Sequence, residues 1–160
     1  MQVVSRKGIL WNYLTPDIQG LVKDGEILIE HAESYRGLIS DFSYLVFPFS
    51  KAYEGFLKKL FLDLDLMRED EYYSDDVRIG KLLNPGYIAE HGALYKNMCL
   101  HKKGGAGLAT VLWNVWRKGR NQVFHYFPHN FRSLSLNEAL QIIHDILGAM
   151  ENAVGKCELK

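Results

Sequence analysis

Apolar residues recur along this chain mostly at intervals of three and four, a period that lays one face of a helix against a core, whereas a half-buried strand needs strict alternation. Thr15-Pro16-Asp17 is a helix start: the threonine can cap free N–H groups, proline is tolerated in the first turn, and the aspartate suits the positive end of the helix dipole. Ile18, Leu21, Val22, Leu28, Ala32, Tyr35 and Ile39 then form one expected buried stripe. A second stripe runs through Phe49, Tyr53, Phe56, Leu57, Leu60, Phe61 and Leu64, with Lys51, Lys58 and Lys59 off it, and Pro48 starts or kinks this helix. Leu108, Val111, Leu112, Val115 and Trp116 mark a third long helix. A capping box, Ser135 with Glu138, opens the fourth, whose stripe is Leu136, Leu140, Ile143, Leu147, Met150 and Val154.

Between the second and third helices the chain turns acidic, "DLDLMREDEYYSDD", and reaches Asn84-Pro85-Gly86, a strong turn signal. This stretch reads as a solvated loop, followed by a shorter helix over Tyr87 to Leu100 and a connector, "HKKGGAG". At 160 residues the chain is long enough to bury a core and short for two, so residues 1–160 read as one domain. With 48% hydrophobic and 24% charged residues it is an ordinary globular composition, which excludes a disordered or fibrous class. The expected fold class is all-α, a bundle of four principal helices with long connectors and no internal repeat.

The start of the chain does not read as a secretory signal, because the apolar run Ile9 to Leu14 is broken by Asn12 and ended by Pro16 and Asp17. The uncharged run Gly104 to Trp116 has 13 residues, short of the roughly 20 that cross a bilayer, so no membrane association is expected. Cys99 and Cys157 lie far apart and in no paired motif, which reads as two reduced thiols and a cytoplasmic protein.

Charge is segregated although the net charge is zero. No Asp or Glu stands between Glu90 and Glu138, while Lys96, Lys102, Lys103, Arg117, Lys118, Arg120 and Arg132 fall there with four histidines. A solvated basic face is the plain reading of such a segment, and a surface for phosphates the functional one. On the functional reading Lys102, Lys103, Arg117, Lys118 and Arg132 are candidate RNA contacts.

Inside that segment, Arg120-Asn121-Gln122-Val123-Phe124-His125 places a planar guanidinium fork near a group that exchanges protons around neutral pH. This pair suits phosphodiester cleavage: one group stabilises charge on the phosphorus oxygens, the other moves a proton to or from the 2'-oxygen or the departing 5'-oxygen. On a regular α-helix residues five apart point about 140° away from each other, so a shared site requires the helix to end or bend between them. Pro128 makes such an ending expected.

Arg120 to His125, with the polar Asn121 after the arginine, resembles the R-x4-6-H signature of the HEPN superfamily, and it stands late in a helical chain as it does there. The resemblance implies a HEPN-like helical bundle and a metal-independent endoribonuclease of toxin-antitoxin or phage-defence type, working without a cofactor. It further implies a homodimer with two motifs facing one cleft, and it suggests an antitoxin protein as a partner. "AYEGFLKKLF", Ala52 to Phe61, is similar to a helix of the ribonuclease LS toxin group, in which a glutamate supports the arginine and histidine; Glu54 would be that residue. The implied catalytic set is therefore Arg120, His125, Asn121 and Glu54. Another HEPN group carries a tyrosine two places after the histidine, where this chain has Phe127. The alternative function is a HEPN-like module that binds a nucleic acid or nucleotide without cutting it.

Other readings compete for the same residues. Cys99, His101, His125 and His129 are four potential zinc donors, although Cys-x-His is an uncommon pair spacing, so no metal site is expected. "KKGGAG" lacks the rest of a phosphate-binding loop and reads as a flexible connector. Trp113, Trp116, Phe124, Tyr126, Phe127 and Phe131 have the chemistry to stack on bases, and at such density also that of a core or a dimer interface.

Overall fold

The computed structural model describes residues 2–91, 105–126, 128, 132–157 and 159, the side chains of 105 and 106 excepted. Among these residues every regular element is helical. In chain order they are α1 (Ile9–Tyr13), α2 (Pro16–Ala32), α3 (Val46–Asp63), α4 (Glu69–Tyr72), α5 (Ile79–Leu82), α6 (Pro85–Glu90), α7 (Gly105–Trp116) and α8 (Leu136–Lys156). Two short 3-10 turns, Glu33–Tyr35 and Phe42–Leu45, lie between α2 and α3, and a π turn, Arg117–Asn121, extends α7. No described helix is long and apolar enough to cross a membrane.

Four helices are long, at 17 (α2), 18 (α3), 12 (α7) and 21 (α8) residues, matching the four expected from periodicity. α3 is central: α2 and α8 pack against it, and α7 packs on α8. The capping expectations hold. The Thr15 side chain accepts from the Ile18 N–H, and the Ser135 and Glu138 side chains satisfy each other's backbone N–H. Pro48 stands in the first turn of α3, where its missing N–H removes no intrahelical bond, so it starts the helix without kinking it.

The first stripe is partly wrong. Leu28 and Tyr35 are exposed, at 40% and 45%, and α2 stops at Ala32. Its buried face is Ile18, Val22, Gly25, Glu26, Ile29 and Ala32. Gly25 belongs to that face because a Cβ there would sit 2.4 Å from Cε2 of Phe49, so α2 and α3 touch through a ring lying on bare backbone. Glu26 is buried with its charge answered: it pairs with Arg6 and accepts from the Val3 N–H at 2.8 Å, which ties the first residues to α2.

The acidic stretch is not a plain solvated loop either. It contains α4 and leads into α5, and Met67, Ile79 and Leu83 from this region enter the core. The turn signal at Asn84 proves to be a helix start, since its side chain accepts from the Gly86 N–H at 2.8 Å and Pro85 takes the first helical position. The expected helix over Tyr87 to Leu100 is seen in part, as α6 over Pro85–Glu90, and its remainder falls outside the described residues. Cys157, expected as a reduced thiol, is disulfide-bonded.

Two polar joints fix the fold around the third and fourth helices. The buried Tyr53 hydroxyl of α3 donates to the Leu112 carbonyl of α7 at 3.0 Å, and burial pushes its pKa well up, so it stays a donor. Asp41 accepts from the Leu134 N–H at 2.9 Å and from both the N–H and the hydroxyl of Ser43, while the Phe42 N–H donates to the Leu134 carbonyl. The segment that returns to α8 is thus stitched to the entrance of α3.

Candidate active site

α3 carries two faces. Phe49, Ala52, Tyr53, Phe56, Leu57 and Leu60 are buried on one. Phe47, Lys51 and Glu54 repeat at i, i+4 and i+7 on another, where the first two are exposed and Glu54 is half-buried. This second face is one wall of a cleft of about 350 Å³ to which Ser50 also contributes. The opposite wall is built by Arg120, Phe124 and His125.

The second wall exists because the helix loses its regularity there. Beyond Trp116 the backbone widens into the π turn, with the Gln122 N–H bonded to the Arg117 carbonyl at 2.9 Å, and regular structure ends before His125. The helix therefore ends between Arg120 and His125, as a shared site requires, but it does so by a π turn several residues ahead of Pro128. Two contacts hold that turn. Gly119 is buried against α8, where a Cβ would meet Cδ1 of Ile146 at 2.8 Å, so only glycine lets the wider turn seat this closely. The Ser50 hydroxyl, itself buried, donates to the Gly119 carbonyl and satisfies a polar group inside the protein.

Arg120 and Glu54 meet across the cleft as an ion pair, Nε to Oε2 at 3.5 Å, with side-chain exposures of 43% and 35%. The guanidinium also lies over the Trp116 ring, 5.0 Å from its centroid. A pair this exposed contributes little to stability, about 0–1 kcal/mol, so its effect is mainly to orient the guanidinium. A guanidinium has five N–H donors, and one contact through Nε does not exhaust them. At the other end of the cleft the Phe47 and Phe124 rings meet edge to face, 5.7 Å apart at 83°.

Three of the four expected catalytic residues, Glu54, Arg120 and His125, thus line one cleft. Asn121 does not: it closes the π turn, half-buried, and is not among the described residues that line the cleft. Arg117 and Lys118 are exposed on the same turn and Arg132 on the segment before α8, while Lys102 and Lys103 lie outside the described residues. Of the aromatic run, Trp116 is core, tilted against Tyr53 at 6.3 Å, and Trp113 is half-buried. Phe124 and Tyr126 are exposed, at 41% and 73%; Phe127 and Phe131 are not described. Among the described residues no group of three or more His, Cys, Asp or Glu side chains could hold a metal, and Cys99, His101 and His129 lie outside them. Phe47, Ser50 and Lys51 were not anticipated. The signal for Phe47 and Lys51 was the second i, i+4, i+7 face of α3, which the stronger apolar stripe hides; Ser50 carried none.

No family model matches this chain, and neither a curated protein nor a solved structure is significantly similar to it.

Proposed function

We propose that the protein is a HEPN-like endoribonuclease that cleaves RNA at the Arg120–His125 cleft without a metal ion. The observation that supports this reading most is the meeting of Glu54, Arg120 and His125, brought from α3 and from the end of α7 to line one opening. In the proposed reaction the Arg120 fork holds the non-bridging oxygens of the scissile phosphate and stabilises the charge that grows on them. The ribose 2'-oxygen forms a bond to phosphorus as the bond to the 5'-oxygen breaks. The net proton movement is from the 2'-hydroxyl to the departing 5'-oxygen, and His125 carries one of those transfers. Glu54 aims the guanidinium. Arg117, Lys118, Arg132, Lys102 and Lys103 supply sequence-independent contacts to neighbouring phosphates. A homodimer would bring two His125 side chains to one cleft, one as base and one as acid. An antitoxin partner belongs to the same reading.

The test is the chemistry of the product ends. Purified protein incubated with RNA in EDTA is expected to leave 2',3'-cyclic phosphate and 5'-hydroxyl termini, and Arg120→Lys is expected to lose most of the rate because a point charge cannot make the bidentate contact. RNA that is bound but left intact would instead establish a non-cutting module.

A further inference from the structure

Phe47 has no role in the core. Its neighbours on α3, Val46 and Phe49, are fully buried, while Phe47 is 56% exposed and faces the cleft. Phe124, 41% exposed, comes from the other wall to meet it. An edge-to-face pair that lines a cleft and stays this exposed leaves aromatic face open to whatever enters, and such surface is unfavourable in water unless something covers it. Cations stand beside it: Lys51 follows Phe47 by one turn, and Arg120 lies at Glu54, about 10 Å further along the α3 axis. An aromatic surface sharing one cleft with cations is complementary to a base and its phosphate together, because every base offers a π-face and every nucleotide an anion. A second copy of the chain is the competing occupant of the same rings, and the experiment below separates the two.

We propose that Phe47 and Phe124 form a stacking platform for an unpaired base adjoining the phosphate held by Arg120, with Lys51 on the neighbouring phosphate. The inference rests on the ribonuclease reading and adds a source of selectivity to it. A paired base has both faces covered by its neighbours, so the platform admits unpaired nucleotides, and it tolerates any sequence because stacking reads no hydrogen-bonding edge.

The experiment couples base to ring. Affinity for short oligouridylate is measured with the His125→Ala chain, in which cleavage is expected to be slowed, using oligomers that carry one abasic ribose at successive positions. One abasic position is expected to weaken binding roughly 5- to 150-fold, the equivalent of about 1–3 kcal/mol per stacked base. In His125→Ala chains that also carry Phe47→Ala or Phe124→Leu, the same abasic position is expected to cost almost nothing. An abasic penalty undiminished by either ring substitution would overturn the platform. So would Phe47→Ala converting a dimer to monomer in sedimentation with oligouridylate affinity unchanged, since the rings would then belong to a subunit interface. Cleavage of the same oligomer by the parent chain is read separately. Coupling with uncut RNA supports the platform and sinks only the cutting; cutting without coupling sinks only the platform.

Discussion

On α3, Val46, Phe49, Ala52, Tyr53, Phe56, Leu57 and Leu60 are buried; from Arg117 to His125, across the cleft, Gly119 alone is. The first region is held by apolar volume spread over many side chains. The second is held mainly from outside, by one glycine seated on α8, one serine hydroxyl, one exposed ion pair and the half-buried Val123 against the core, while Arg117, Lys118, Phe124 and His125 are exposed. Dense packing fixes where the wall stands, while sparse fixation leaves charged and aromatic groups available for chemistry.

That contrast breaks most visibly at the core. Phe56 is fully buried, stacked with Tyr53 at 6.3 Å and edge-on to Tyr13 at 5.7 Å, so Phe56→Ala is expected to cost about 3–5 kcal/mol in chemical denaturation. A cost under about 1 kcal/mol would mean that the inner face of α3 is not the organising core. Gly119→Ala is the corresponding probe of the sparse region. Its new methyl meets Ile146 and is expected to cost about 1–3 kcal/mol. It is also expected to reduce cleavage far more than that loss of stability explains, because the π turn aims Arg120. Unchanged cleavage would separate the turn from the site.

The joint that stitches the segment before α8 to the entrance of α3 is pH-sensitive. Burial by itself would raise the pKa of Asp41, but the N–H of Leu134 and the hydroxyl and N–H of Ser43 outweigh it and hold the carboxyl below the usual aspartate range. A carboxyl whose folded pKa is depressed stabilises the fold above its unfolded pKa, and that contribution disappears as pH falls through the folded value. Asp41→Asn should therefore lower Tm at neutral pH, by an amount equivalent to about 1–2 kcal/mol, and the gap to the parent should close in acid. A gap that is constant with pH would remove the charge from the explanation. The smallest effect is expected at Arg120. Its ion pair is more than a third exposed on both sides, and Arg120→Ala should leave Tm nearly unchanged, about 0–1 kcal/mol. A large loss would make Arg120 a structural residue.

What was legible in the sequence follows from what has a period. The long helices, the caps at Thr15 and Ser135 and the core face of α3 all announce themselves by apolar spacing or by paired polar groups a few residues apart. The buried face of α2 was misread because Gly25 and Glu26 carry no apolar signal: one is buried to admit the Phe49 ring, the other to receive Arg6. That Glu54, Arg120 and His125 share one cleft was expected from a short motif and one helix resemblance. The π turn was not legible, because its causes, Ile146 and Ser50, are distant in sequence and reach Gly119 only in the folded chain. Phe47 and Lys51 stayed hidden for a related reason: a cleft-lining face on the back of a core helix looks in sequence like ordinary solvated surface.

The central claim is that this cleft moves a proton during RNA cleavage, and single-turnover cleavage by His125→Ala at saturating RNA, in EDTA, tests it most directly. The expected result is a fall of roughly 10²- to 10⁴-fold in the cleavage rate, with the helical signal and RNA affinity of the parent retained. A His125→Ala chain that cuts RNA as fast as the parent would contradict the claim.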